Sequence, residues 1–122
     1  MVGIIGEDAW YNAVTMDSHE VPLELPSKDE FSATVDSDFV TRLPDGREVV
    51  FHFFKLRPGI SNHIQESFSL MFRTPLDVPP VQGMYDFEHP SLGELSLFLV
   101  PVGQKEDHFV YESVFNNLKI AE

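Results

Sequence analysis

The segment DFEHPSLGE sets His89 among Asp86, Glu88 and Glu94. An imidazole beside carboxylates can ligate a metal or act as a general base near neutral pH. Two features weigh against chemistry there. Glu88 and His89 are adjacent in what reads as a strand, so their side chains leave opposite faces. A His–Pro pair at a hairpin corner also reads as a turn element. His52 stands between Phe51 and Phe53; it either lines a pocket inside a β-barrel or hydrogen bonds on a partly buried strand face. The remaining histidines, His19 beside Glu20, His63, and His108 after Glu106 and Asp107, read as solvated loop or turn residues.

Other reactive patterns are weaker still. No His-x-His, Glu-x-x-His or His-Glu-x-x-His spacing occurs, so the sequence signals no preformed zinc or iron site. The chain has no cysteine, which excludes disulfides, Fe–S clusters and a thiol nucleophile. Ser61, Ser67, Ser69, Ser91 and Ser96 lack a Gly-x-Ser-x-Gly elbow and an evident base. Asp36 and Asp38 have dyad spacing but sit at a strand start, where they read as turn formers and surface charge. RPGISNHIQ has too few glycines to cradle a phosphate. The expectation is a protein without catalytic residues, metal or cofactor.

The elements that would position these groups are β-strands. From residue 38 onward, short apolar runs alternate with turn residues. DFVTRL and REVVFHFFKL flank PDG, a hairpin in which Pro44 presets φ and Gly46 takes a positive one. In the second run Val49, Phe51 and Phe53 share one face, while Val50, His52, Phe54 and Leu56 share the other, so both faces ask for cover. ESFSLMFR turns Phe68, Leu70 and Phe72 one way. After TPLDVPPVQG, the runs MYDFEH and GELSLFLV are joined by PSLG, and HFVYESVFN follows GQKED. In GELSLFLVPVG, Leu95, Leu97 and Leu99 point inward, Pro101 ends the ladder and Gly103 lets the chain turn. Pro44, Pro58, Pro75, Pro79, Pro80, Pro90 and Pro101 are expected between or at the ends of strands, never inside them. The pattern predicts an all-β domain of about six antiparallel strands, closed as a small barrel or stacked as a two-layer sandwich.

Residues 27–122 make up this single domain. Ser27 and Glu30 have capping-box spacing, predicting a short helix over residues 28–34 before the first strand. Residues 1–26 read as an acidic N-terminal arm: residues 1–38 carry nine acids against one base, Lys28. A short amphipathic helix near residues 7–15 is expected in it, with Ile5, Ala9, Ala13 and Met16 at helical spacing. Trp10 and Tyr11 are the candidate partner contacts, because exposed aromatics in such a setting are enriched at interfaces. The alternative is that their rings fold back on the domain.

Eight basic and twenty acidic residues give a net charge of −12. That field repels phosphate backbones and anionic membranes, so neither nucleic acid nor membrane is the expected partner. No signal-peptide pattern opens the chain and no apolar run is long enough for a membrane span. The chain reads as cytoplasmic when synthesised, with export as part of a surface assembly left open.

Four segments in order, ESFSLMFRTP, VQGMYDFEHPSLG, GELSLFLVPVG and YESVFN, resemble a small bacterial domain family of unknown function. Its pattern runs F-S-L-x-F-R-G-P, Q-G-x-Y-x-x-E-H, G-E-L-x-L-F-L-V-P-I-G and Y-E-A-V-F-N. The resemblance covers residues 23–117, including Asp45 and Gly46 of the hairpin. It departs at Thr74, where the pattern has glycine, and in residues 1–22, which have no counterpart. The resemblance transfers no catalytic residues. Members are often encoded beside phage-tail-collar-type proteins, which implies an accessory subunit of a tail-like fibre or adhesive assembly. The expected function is a non-catalytic structural or protein-interaction module, its partner such a neighbour or a second copy of itself. The alternative is a ligand-binding or enzymatic barrel with a pocket near His52 or His89.

Overall fold

The computed structural model describes residues 25–118. The expected helix near residues 7–15, and Trp10 and Tyr11 with it, lie outside them. Helix α1 spans Lys28–Ser32. Its capping box forms in full: the Ser27 N–H donates to Glu30 Oε1 at 2.8 Å, and the Glu30 N–H donates to Ser27 Oγ at 3.1 Å. The helix stops short of residue 34 because the β-branched Thr34 turns its hydroxyl onto the Phe31 carbonyl, 2.8 Å away. Asp36 then takes φ 71°, a left-handed conformation that aspartate tolerates better than most residues. Its N–H donates to the Phe53 carbonyl at 2.6 Å, which delivers the chain into the first strand.

Six strands follow: β1 (Ser37–Arg42), β2 (Glu48–Ser61), β3 (Gln65–Pro75), β4 (Gly83–His89), β5 (Gly93–Gln104) and β6 (His108–Leu118). All pair antiparallel, in the closed order β1-β2-β3-β6-β5-β4. Closure decides for the barrel over the sandwich, although the ring is irregular. β1 meets β4 through only Val40–Glu88 and Thr41–Phe87, and β5 meets β6 only between Val100–Gln104 and Phe109–Glu112. Gly46 at the β1–β2 turn has φ 93°, as PDG predicts. In the ring β3 and β4 stand opposite one another, so the connection 76–82 must cross the mouth of the barrel. The Phe31 ring packs at the other end, 5.3 Å from Phe115 and 6.4 Å from Phe68.

The inward positions of the strands are mostly apolar, with Thr41, Thr74 and His89 among the few buried polar residues. Phe39, Phe51, Phe53, Phe68, Phe72 and Phe87 are buried, together with Leu70, Leu95, Leu97, Leu99 and Tyr111. Phe39 is central: its ring meets Phe53, Phe72 and Phe87 edge-on at 5.8, 5.3 and 5.8 Å. That geometry sets the positive edge of one ring against the negative face of the next.

Two expectations fail, both at β-bulges. Leu56 does not share the outer face with Val50. Phe54 is an extra residue between the pairs Phe53–Phe72 and Lys55–Met71, and this switches the parity so that Leu56 opposes Leu70 and packs against the core. Pro58 and Pro101 lie inside β2 and β5, where strand interiors were expected to be free of proline. β2 has lost β1 as a neighbour beyond Phe53, and β5 has lost β4 beyond Leu99. Each proline therefore sits on a half-free stretch beside a bulge, where a missing N–H is tolerated. Pro101 follows the end of the β4–β5 ladder, while pairing with β6 continues to Gln104. Among the described residues, long arginines help to cover the outer face of β2 and β3. The Arg73 guanidinium lies 4.8 Å above the Phe54 ring, and Arg57 reaches over the buried Met71.

Truncating Phe39→Ala should cost about 3–5 kcal/mol of stability, measured by urea denaturation. Phe39→Leu, which keeps most of the volume, should cost clearly less.

Candidate functional site

His89 is buried at the C-terminal end of β4. Its partners fix its proton. Ser37 Oγ gives its hydrogen to the Thr34 carbonyl at 2.5 Å, so at 2.7 Å from His89 Nε2 it can only accept. Nδ1 receives the backbone N–H groups of Ser91 and Leu92 at 3.1 and 3.2 Å. The ring is therefore a neutral Nε2–H imidazole that closes the β4–β5 turn and ties it to β1. Burial pushes its pKa below the ordinary histidine value. Both nitrogens are occupied by this structural task.

His52 occupies the outer face of β2. It faces Asp38 across the β1–β2 ladder, with Nδ1 2.8 Å from Asp38 Oδ1, and its Nε2 lies 3.7 Å from Asp36 Oδ1. The two aspartates read separately as surface charge thus meet on one histidine. Among the described residues, no three histidine, aspartate or glutamate side chains are placed to hold a metal ion. His63 is exposed in the β2–β3 turn, and His108 pairs with Asp107 at 2.6 Å, which lowers the Asp107 pKa.

Two surface features stand apart from the histidines. On the outer face of β4 and β5, Met84 and Phe98 are directly opposed and 64% and 46% exposed. Val102, the bulge residue of β5, extends this apolar strip. Beside it runs a groove of about 410 Å³ whose walls include Glu48, Asp86, Glu88 and Glu94. Glu88 and Glu94 oppose one another directly in the ladder, an arrangement of like charges that disfavours itself.

The second feature is a cavity of about 650 Å³ at the barrel mouth. Its buried floor comprises Thr41, Val49, Phe51, Thr74 and Tyr111, and Val78 and Val81 of the crossing loop roof it. Val81 is pinned on both sides: its N–H donates to the Tyr111 hydroxyl at 3.2 Å, and its carbonyl accepts from the Tyr85 hydroxyl. Burial, and then the neighbouring Tyr111, push the Tyr85 pKa well above the usual tyrosine value, so it stays a neutral donor. Neither His52 nor His89 lines this cavity or the acidic groove.

Residues 26–115 match a protein family described as a domain of unknown function, DUF6916. The chain belongs to that family. No curated protein and no solved structure matches it. The DUF6916 match begins just before the α1 capping box and ends at Phe115, whose ring stacks on Phe68 at 4.9 Å. It thus takes in the ring from the helix that stops one end to the loop that spans the other.

Sequence reasoning attached no function to Tyr85, Tyr111 or the loop between β3 and β4. Tyr85 shares the inward parity of Phe87, and a tyrosine there, beside a proline-rich loop, was the available signal. Thr74 was marked only as a departure from the resembled pattern.

Replacing His89→Ala in this DUF6916 domain should cost about 1–3 kcal/mol, since it strands two backbone N–H groups of the turn. The folded protein binds fewer protons at His89 than the unfolded chain does, so its stabilisation is present above about pH 6.5 and declines as pH falls below that. His89→Asn keeps an acceptor near Nδ1 and does not titrate. Its urea midpoint should therefore fall less than that of wild type between pH 7.5 and 5.5.

Proposed function

We propose that this DUF6916 domain is a non-catalytic protein-interaction module that docks a partner on the outer face of β4 and β5. The observation that carries the reading is the exposed cross-strand pair Met84 and Phe98 with Val102 beyond it. A contiguous exposed apolar patch rimmed by polar residues is the usual mark of a protein contact. Covering it contributes about 25 cal/mol per Å² of apolar surface removed from water. The adjacent carboxylates define the partner's chemistry. A lysine or arginine placed between Glu88 and Glu94 relieves their repulsion, so the complementary surface is apolar with a basic border.

The resemblance to domains encoded beside phage-tail-collar-type proteins makes such a protein the proposed partner, with this chain an accessory subunit of a tail-like fibre or adhesive assembly. Trp10 and Tyr11 are retained as further contacts on the sequence argument alone.

Co-expression with the collar-type neighbour tests this. A stable complex is expected, and the double substitution Met84→Ser, Phe98→Ser should weaken it at least about tenfold, the loss of roughly 1.4 kcal/mol, with the thermal midpoint little changed. Unchanged affinity would place the interface elsewhere. Absence of a complex with either form would sink the accessory-subunit reading.

A further inference from the structure

We propose that the cavity at the barrel mouth is a binding site for a small, uncharged, mainly apolar ring compound, with the Thr74 hydroxyl as its polar anchor. The cavity's volume of about 650 Å³ suits a small-molecule site, since such pockets run from about 300 to 1,000 Å³. The floor is rigid, because it is made of inward-facing strand residues fixed by the barrel's register. Its roof is a loop held by the two hydrogen bonds of Val81 and the packing of Val78 on the core, fewer ties than the strands have, which makes it the part that can give way for entry.

The lining specifies the ligand's character. Val49, Phe51, Val78 and Val81 offer apolar walls. Both arginines at the rim are already matched. Arg42 is bound to Glu48 at 2.9 Å, Arg47 to Asp45 at 3.0 Å, and Asp86 accepts from Ser96 Oγ at 2.5 Å. Asp86 keeps its negative charge, which disfavours an anion at the rim, and a neutral molecule enters the space without breaking an ion pair. Thr41 is also occupied, its hydroxyl donating to the Asp86 carbonyl at 2.7 Å.

Thr74 is different. It is 4% exposed, lines the cavity, and its Oγ1 is the one buried side-chain oxygen or nitrogen without a hydrogen-bond partner among the described residues. Buried hydroxyls are nearly always paired, and leaving one unpaired is unfavourable. Oγ1 is itself shielded from the open space, so binding includes a rotation about χ1, which exchanges methyl and hydroxyl between staggered positions and would present the oxygen to the ligand. A carbonyl, hydroxyl or amine on an otherwise apolar ring system supplies the missing partner. The site adjoins the outer face of β4 and β5 through Met84, which lines both, while Phe98 and Val102 lie outside it.

The probe is N-phenyl-1-naphthylamine, a neutral dye with two apolar ring systems and one N–H. Wild type should show a saturable, one-to-one rise in dye fluorescence. Thr74→Val, which keeps the shape and deletes the oxygen, should weaken binding about five- to tenfold while leaving the thermal midpoint equal or higher. Val78→Trp, whose indole fills the space, should abolish binding, and Phe98→Ser on the outer face should leave it unchanged. Non-saturable binding to wild type, or full affinity in Val78→Trp, overturns the proposal; full affinity in Thr74→Val overturns the anchor. If Val78→Trp does not fold, amide shift changes in wild type decide. Changes at Thr41, Thr74 and Val81 support the site, and changes confined to Phe98 and Val114 overturn it.

Discussion

Two residue pairs, Val40–Glu88 and Thr41–Phe87, make up the backbone ladder between the first and fourth strands. A ring closed by so short a ladder is not held by its backbone hydrogen bonds alone. What keeps it shut is the aromatic cluster behind the seam. Phe39 from one strand and Phe87 from the other pack edge to face, with Phe53 and Phe72 completing the contact. Side chains add two hydrogen bonds across the seam, one from His89 to Ser37 and one from the Thr41 hydroxyl to the Asp86 carbonyl. The seam, the core and the buried histidine are one construction. This is why an imidazole set among carboxylates in the sequence serves the architecture, with its two nitrogens committed to a turn and a neighbouring strand.

The fold was legible because inward and outward residues alternate cleanly in most strands. Phe68, Leu70 and Phe72, and again Leu95, Leu97 and Leu99, announce a buried face without any knowledge of neighbours. The Ser27–Glu30 spacing announced the helix start, and Pro44 with Gly46 the first hairpin. Bulges are what a period of two cannot foresee. One extra residue at Phe54 reversed the assignment of Leu56, and irregular pairing let Pro58 and Pro101 enter strands. Both depend on where the neighbouring strand ends, a property of the assembled ring and not of the local sequence.

The candidate sites were less legible for the same reason. His52, Asp36 and Asp38 were each visible, yet their meeting follows from the β1–β2 register. The barrel-mouth cavity is drawn from β1, β2, the end of β3, the loop after it, β4 and Tyr111 of β6, with no motif to mark it. Glu88 and Glu94 were read as neighbours of His89 when their relevant relationship is to each other, across a ladder that sets them face to face. Electrostatics on this surface is therefore a matter of pairing between strands, and the overall charge of −12 conceals it.

The segment 76–82 links walls that stand on opposite sides of the ring, and both backbone groups of Val81 are fastened to tyrosines rising from β4 and β6. It works as a strap across the staves of a barrel whose hoop is nearly broken at one point. Thr41 stands both in that thin seam and in the wall of the mouth beneath the strap, so the weakest joint of the hoop and the opening it frames share a stave.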